Sequence, residues 1–316
     1  MCAILGLIDY ENIFTPRQRE QILRVLSKEC EVRGTDATGF AFNSRNELKI
    51  FKRPVAAHKI HLHLPEDSNI ILGHTRMATQ GDKSKNFNNH PFFGNAGGER
   101  FALAHNGVIY NDEKLRKELE IPPSNIETDS YIAVQILEKL GELSEKSLAE
   151  MAEKVSGSFV FTLLDKRNNS YFVKGDNPLA LYHFKAGFYI YASTNSILDQ
   201  ALNALGLAKF LYEEIQSDCG DILKIDSRGK LTRSHFQYND YPCYRYTLGY
   251  NTFEDRIGLH RLNQYAERCG IDECYIDLLL DYGYTIEEVE DLICVPNAIE
   301  TAVEEILCEF DYCEEW

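Results

Sequence analysis

Short apolar runs of strand length, bounded by Gly, Asn and Asp, recur along the chain from Ala3 to Ile225. Such runs predict β-strands. Helical spacing is rarer, so strands outnumber helices and cluster in groups, which favours an α+β fold over a doubly wound parallel sheet. The predicted strands are Ala3–Ile8, Asn69–His74, Phe101–His105, Ser158–Leu164, Ser170–Val173, Ala180–Phe184, Phe188–Ala192 and Asp221–Ile225.

Four stretches of the same region show helical spacing. Thr15 followed by Pro16 is a strong helix start, and the apolar spacing predicts that this helix continues to about Cys30. The other three helices are predicted to follow Asp112, to open at Asp129 and to run from Ser147 to Val155.

After Tyr250 the pattern changes to short helices. A larger domain at residues 2–240 and a small helical domain at residues 251–316 are therefore predicted. The spacing of Thr285 with Glu288 and of Asn297 with Glu300 predicts capping boxes, and Gly270 and Gly283 are predicted to end helices.

Charge divides the chain at the same place. Residues 251–316 hold 18 Asp and Glu against 3 Arg and no Lys, a net charge of -15, whereas residues 1–250 hold 31 acidic and 30 basic side chains. Because an acidic surface repels phosphate backbones, we expect no nucleic-acid partner.

The sequence also indicates in which cellular compartment the protein is expected. No stretch approaches the roughly 20 apolar residues of a membrane-spanning helix, and Met1 to Tyr10 lack the basic segment and cleavage site of a signal peptide. We therefore expect a cytoplasmic protein without a membrane partner. Nine cysteines are then expected to be reduced thiols rather than a disulfide framework.

Cys2 stands directly after the initiator Met and directly before a predicted strand. If Met1 is removed, this residue carries both a thiol and an α-amino group, whose unperturbed pKa of about 7.7–8.0 suits a general base near neutral pH. Nucleophile and base would then belong to one residue. A cysteine at this position is also compatible with a buried structural thiol.

Five segments, in this order, carry a family resemblance. They are Cys2-Ala-Ile-Leu-Gly6, Arg33-Gly-Thr-Asp-Ala-Thr-Gly39, Gly73-His-Thr-Arg-Met-Ala-Thr-Gln-Gly81, His105-Asn-Gly107 and Glu127-Thr-Asp129. Together they resemble the glutaminase domain of class II glutamine amidotransferases, such as glucosamine-6-phosphate synthase and amidophosphoribosyltransferase. The resemblance covers residues 2 to about 235. It implies the four-layer αββα sandwich of N-terminal-nucleophile hydrolases, with L-glutamine as substrate and no cofactor or metal.

The resemblance also implies roles for individual residues. Arg76 is the expected clamp for the substrate carboxylate, which suits the planar fork of a guanidinium, and Thr79 adds a hydrogen bond at the same end. Asp129 is expected to hold the substrate ammonium group. Without the motifs around them, Arg76 and Asp129 would be interpreted as surface salt-bridge partners.

Asn106 and Gly107 resemble the oxyanion hole, in which an amide and a backbone N–H face the negative oxygen of the reaction. Asn-Gly is also the commonest hairpin turn, and the apolar runs on either side permit both interpretations. Arg33 is expected to position the Cys2 backbone. Asn89-His90-Pro91 resembles a further family segment or an ordinary proline turn.

Two positions depart from the synthase pattern. Met77 stands where an aromatic residue is usual, and Gln80 replaces a histidine. Neither position is assigned a chemical role by the resemblance. The departures concern the loop over the site and its coupling to a second domain.

The resemblance implies that Cys2 attacks the glutamine side-chain amide, forms a γ-glutamyl thioester and releases ammonia. Two alternatives stay open: an amide hydrolase of the same fold acting on another γ-glutamyl substrate, and a non-catalytic module that senses glutamine or binds a partner. Retention of both Arg76 and Asp129 favours free glutamine.

No acceptor domain is recognisable, and no G-x-x-x-x-G-K-[ST] phosphate loop occurs. Ammonia is therefore expected to go to a separate ammonia-accepting enzyme or to solvent. The acidic C-terminal region is expected either to dock that enzyme or to be a solvated bundle that only adds solubility. Cys269 with Cys274, and Cys308 with Cys313, are each five residues apart, with Cys294 between the pairs. This spacing is wider than is usual for zinc ligands and favours helical core packing.

Overall fold

The computed structural model describes residues 2–78 and 80–238 and, in the C-terminal part, residues 262, 266, 271, 273–293, 295, 298–299 and 301–303. Contacts between Cα atoms divide the chain into two compact units, Met1–Tyr241 and Pro242–Trp316.

The first unit contains two antiparallel sheets. Sheet A has seven strands, which are, in order across the sheet, β11 (Tyr212–Glu214), β9 (Ala180–Phe184), β10 (Phe188–Ala192), β1 (Ala3–Ile8), β4 (Ile70–Arg76), β2 (Ala37–Ser44) and β3 (Glu47–Arg53). Sheet B has six strands, which are β13 (Leu231–His235), β12 (Asp221–Ile225), β8 (Ser170–Lys174), β7 (Gly157–Asp165), β6 (Glu99–Ile109) and β5 (Phe92–Ala96).

Five helices of this unit cover the sheets. The helices are α1 (Pro16–Glu29), α2 (Asp112–Glu118), α3 (Tyr131–Leu140), α4 (Glu145–Lys154) and α5 (Asn195–Leu205). The first begins as its sequence predicts, with Pro16 in its first turn and Thr15 forming a capping box with Gln18. Gly141 and Gly206 end α3 and α5 in the left-handed conformation that favours glycine.

Three buried clusters separate four layers. Alternate residues of β1 point to opposite faces, so Leu5 packs with Leu23 of α1 and with α5 on one side of sheet A. Ile4 lies between the sheets with Ala102 of β6. On the far face of sheet B, Ile132 of α3 joins a third cluster with α2 and α4. The α+β class and the αββα layering are thus confirmed.

The eight predicted strands and four predicted helices of this unit are all present. The sequence patterns did not predict β2, β3, β5, β11, β13 and α5. The hairpin interpretation of Asn106-Gly107 is wrong, because β6 runs through both residues and pairs Asn106 with Val160 and Gly107 with Phe159.

In the second unit the structure describes two whole helices, α6 (Glu273–Tyr282) and α7 (Ile286–Ile293). Gly283 follows α6 with φ +112° and so ends it as predicted. Thr285 and Glu288 form the predicted capping box, since the Glu288 N–H donates to Thr285 Oγ1 at 3.3 Å and the Thr285 N–H donates to Glu288 Oε2 at 2.8 Å. Among the described residues of this unit, nine apolar side chains form a buried cluster that includes Leu279 and Val289.

Several predicted features of the second unit lie outside the described residues. They are Gly270, Asn297 with Glu300, Cys269, Cys294, Cys308, Cys313 and the side chain of Cys274. In the part of the chain that is described, none of the helices has both the length and the apolarity needed to cross a membrane.

Candidate active site

The ends of two central strands bring Cys2 and Arg76 together. In sheet A, Ala3 of β1 pairs with Thr75 of β4. The next residues outward, Cys2 and Arg76, therefore lie at the same end of neighbouring strands. On the other side of β4, Ala37 pairs with Arg76, so the loop that precedes β2 reaches the same edge.

Cys2 is partly buried, and its Sγ lies 3.4 Å from the Met77 carbonyl oxygen. Burial raises the pKa of the thiol, a backbone hydrogen bond with Met77 and the charge of Arg76 lower it, and the charge of Asp129 raises it. The Cys2 carbonyl oxygen accepts a hydrogen bond from Arg33 Nε at 2.8 Å.

Arg76 is 3% exposed, and its guanidinium is held by the segment that follows β4. Its Nη1 donates to Asn89 Oδ1 at 2.6 Å, and its Nη2 donates to the carbonyl oxygens of Gln80 and Gly81. Burial lowers the pKa of Arg76, while the charges of Cys2 and Asp129 raise it. A guanidinium fastened on this side presents a fixed direction to any bound anion.

Asp129 is 5% exposed and lies just before α3. Its Oδ2 accepts from the Ile109 N–H at 2.6 Å, and its Oδ1 accepts from Ser130 Oγ at 3.2 Å. Burial raises the pKa of this carboxyl group, whereas those two hydrogen bonds and the charge of Arg76 lower it. His105 Nδ1 lies 2.7 Å from Ser130 Oγ and so belongs to the same network.

Sheet B supplies Asn106 and Gly107. Asn106 is 1% exposed, and its Nδ2 donates to Ser193 Oγ at 3.3 Å. Gly107 has φ +141°, and a Cβ there would lie 1.8 Å from the Ser158 carbonyl oxygen. Only glycine fits at that position, because both the backbone conformation and the space exclude a side chain.

The loop that precedes β2 is packed as closely around Gly34. A Cβ on Gly34 would lie 2.5 Å from the Arg76 carbonyl carbon and 2.7 Å from the Met77 nitrogen. Asp36 accepts from the Ala78 N–H at 2.9 Å and from Lys83 Nζ at 2.6 Å. These contacts anchor the segment after β4 to the segment before β2.

Glu127 anchors the same segment from the other side. Its carboxylate accepts from Asn88 Nδ2 at 2.8 Å and from Lys85 Nζ. Asn89 Nδ2 donates to the Lys83 carbonyl oxygen at 3.0 Å. Thr79, which the sequence analysis placed at the carboxylate end of the substrate, lies outside the described residues.

Three buried imidazoles, those of His74, His90 and His105, lie close to one another. The His74 and His90 ring centroids are 4.2 Å apart, and those of His90 and His105 are 6.5 Å apart. Burial lowers the pKa of His74 and of His105 to about 3 each, and lowers that of His90 well below its usual value. The rings are therefore uncharged at neutral pH and add no cation beside Arg76.

The structure thus places Cys2, Arg76, Asp129, Asn106 and Arg33 among the contacts of one site, with Gly107 next to Asn106 in β6. Sequence reasoning missed three residues that hold them, Gln80, Asn89 and Ser193. Asn89 belonged to a segment already singled out as family-like, whereas no local signal marks Ser193, whose partners are distant in the chain.

Comparison with known proteins identifies related sequences over most of the first unit. Residues 74–200 match the family model described as a glutamine amidotransferase domain. The glutamine–fructose-6-phosphate aminotransferase (isomerizing) of Staphylococcus epidermidis is 32% identical over 250 residues, which span 76% of this chain and 39% of that protein. The protein of the same name from Helicobacter pylori is 32% identical over 210 residues, which span 63% of this chain and 33% of the relative.

Solved structures show the same fold at lower identity. Glutamine phosphoribosylpyrophosphate amidotransferase from B. subtilis, complexed with ADP and GMP, superimposes with a TM-score of 0.59 at 18% identity, covering 75% of this chain and 50% of that one. A structure described as the allosteric regulatory enzyme of purine biosynthesis gives a TM-score of 0.60 at 19% identity, with the same coverage.

The sequence matches and the fold show that this chain contains a class II glutamine amidotransferase domain with the fold of the N-terminal-nucleophile hydrolases. The curated relatives named above are glutamine–fructose-6-phosphate aminotransferases, and this chain spans less than half of their length.

Proposed function

We propose that residues 2–240 form a glutaminase domain that hydrolyses the side-chain amide of L-glutamine. One observation carries the proposal: a buried cation, Arg76, lies next to Cys2 at the end of paired strands, and Gln80 bonds both to Arg76 and to the buried anion Asp129. A free α-amino acid offers one carboxylate and one ammonium group, which would pair with these two residues. A substrate lacking either group would leave a buried charge without its partner, which is costly.

In this proposal Arg76 binds the α-carboxylate and Asp129 the α-ammonium group, with Thr79 at the carboxylate end. The contacts of Arg76 with Asn89 and Gln80 favour the role, because a guanidinium already held on one face loses little freedom when it binds. The hydrogen bonds from Ile109 and Ser130 to Asp129 favour a carboxylate that is ionised in spite of its burial.

The chemical step needs Cys2 as the first residue of the mature chain. Removal of Met1 would free the α-amino group to accept the thiol proton as Sγ attacks the amide carbon. The C–N bond then breaks, the leaving nitrogen takes the proton and departs as ammonia, and a γ-glutamyl thioester remains. Water cleaves the thioester to glutamate and restores the thiol.

Asn106 Nδ2 and the Gly107 N–H are proposed to stabilise the negative oxygen in both steps. Such a donor contributes a factor of about 10²–10³ to kcat. Arg33 is proposed to keep Cys2 in place through its hydrogen bond to the Cys2 carbonyl oxygen.

The ammonia would be used by a separate acceptor enzyme. We propose that residues 251–316 form a separate acidic domain, and that its net charge of -15 steers a basic ammonia-using enzyme towards this chain. Charge of one sign on a folded surface raises association rates, and this effect weakens with salt.

A glutamine-like diazoketone tests the nucleophile directly. We expect the reagent to alkylate Cys2 after Met1 removal, as shown by intact mass and peptide mapping, and excess glutamine to protect the site. Cys219 is an exposed thiol outside the site and serves as the internal control. Labelling of Cys219 in preference to Cys2, or no protection by glutamine, would contradict the proposal.

A further inference from the structure

Ser193 joins the two halves of the candidate site. It follows β10 directly and has no exposed surface. Its Oγ accepts a hydrogen bond from the Ile4 N–H at 3.0 Å and another from Asn106 Nδ2 at 3.3 Å. One hydroxyl therefore contacts both the strand that begins after Cys2, in sheet A, and the oxyanion donor in sheet B.

The register explains why this hydroxyl is available. The pairing of β1 with β10 ends with Leu5 opposite Ala192. One residue further, the Ile4 N–H bonds to the side chain of Ser193. The hydroxyl thus lies where the pairing of β1 with β10 ends, and it reaches Asn106 of the facing sheet B.

The geometry of a primary amide explains how this contact orients the Asn106 side chain. The nitrogen of an Asn side chain carries two hydrogens in the plane of the amide group. If one of them is held by Ser193 Oγ, rotation about the last side-chain bond is restricted, and the second hydrogen keeps a constant orientation. An oxyanion donor is effective only when it is oriented before charge develops.

We propose that Ser193 is a positioning residue that orients the Asn106 amide towards the reacting oxygen. This inference rests on the proposed glutaminase function. It adds a residue that touches neither the substrate nor Cys2, and that acts on the rate of the chemical step through Asn106.

The test is a double-mutant cycle in the full chain, with glutamine hydrolysis as the assay. We expect Ser193→Ala to lower kcat about 10-fold, a part of the 10²–10³ attributed to a whole donor, with KM changed less than about 2-fold. In an Asn106→Ala background the same substitution should change kcat less than about 2-fold, because the group through which it acts is already gone.

Ser68→Ala is the matched control. Ser68 is also a buried serine, and its Oγ donates to the Asn43 carbonyl oxygen at 2.9 Å, away from the site. Its removal should leave kcat unchanged. If Ser193→Ala does not fold, Ser193→Cys replaces it, since a thiol of similar shape is a weak acceptor and should lower kcat in the same direction.

The outcomes are distinct. Equal losses of kcat from Ser193→Ala in both backgrounds would overturn the positioning role, because the effect would then run through Ile4 and the fold of β1. Absence of glutaminase activity in the unsubstituted chain, or full activity of Asn106→Ala, would overturn the proposed function and this inference with it.

Discussion

The backbone N–H of Asp129 donates a hydrogen bond to the side-chain oxygen of Gln80 at 3.0 Å. The carbonyl oxygen of the same Gln80 accepts from Arg76 Nη2. One residue, at a position that departs from the synthase pattern, therefore links the two charged residues to which the proposal assigns substrate recognition. In the proposed site Gln80 therefore connects the two substrate-binding residues, although the sequence resemblance assigned it no role.

Substitution of Gln80 should therefore affect binding more than chemistry. We expect Gln80→Ala to raise KM for glutamine several-fold and to change kcat less than about 2-fold, because the lost contact is made equally before and during the reaction. Steady-state ammonia release measures both constants. Gln200→Ala, on the exposed face of α5, is the control. A fall in kcat alone would contradict this assignment.

Cys2→Ala should abolish ammonia release and leave glutamine binding largely intact, since the carboxylate and ammonium contacts are made by other residues. Calorimetry gives the Kd for glutamine, and a coupled assay gives the rate. Cys219→Ala should match the unsubstituted chain in both. Normal turnover by Cys2→Ala would rule out the thioester mechanism.

Arg76 and Asn106 should separate binding from catalysis. Arg76→Ala is expected mainly to raise KM, because it removes the partner of the substrate carboxylate. Asn106→Ala is expected mainly to lower kcat, by about 10²–10³, because its amide acts on charge that exists only in the transition state. The two constants are compared in one assay, and the reverse pattern would show that the roles are exchanged.

The thiol of Cys2 should respond to both neighbouring charges. The charge of Asp129 raises the pKa of Cys2 and that of Arg76 lowers it. Asp129→Asn should therefore move the midpoint of Cys2 alkylation to lower pH, and Arg76→Ala should move it to higher pH. The rate of iodoacetamide labelling of the free protein, followed by peptide mass at each pH, measures the midpoint. Shifts of the same sign in both variants would contradict the placement of the two charges.

Truncation after Asp240 should preserve basal glutaminase activity, because every residue assigned to the site precedes it. The full chain, but not the truncated one, is expected to retain a purified ammonia-using enzyme of the same host at low salt and to lose it at high salt. Equal retention with and without residues 251–316 would eliminate the docking role. Loss of basal activity would show that the C-terminal domain completes the catalytic fold.

Much of the fold follows from local patterns. The eight predicted strands are runs of apolar residues of strand length, and the capping boxes at Thr15 and Thr285 are interactions between residues three apart. Such signals depend on neighbours in the chain. They can therefore be recognised without knowledge of the tertiary structure.

The elements that the sequence did not predict show where local patterns are insufficient. Strand β2 contains Thr38, Gly39 and Asn43, which interrupt an apolar run, yet it forms a strand because it pairs with both β3 and β4, and all eight of its residues are buried. In the same way, Asn106-Gly107 has the composition of a hairpin turn but continues β6, because β7 pairs with both residues. Tertiary pairing overrides local preference at these positions.

The sequence by itself determined the class of the fold and the residue types of the site, because apolar periodicity is local and a thiol, a guanidinium, a carboxylate and an amide keep their chemistry wherever they lie. Only the tertiary structure decided how those groups are held. Asn106 meets Ser193 across 87 positions of the chain, and Asp129 meets Gln80 across 49. Contacts over such separations arise from the register of strands within the sheets and from the packing of one sheet on the other, and no window of neighbouring residues contains that information.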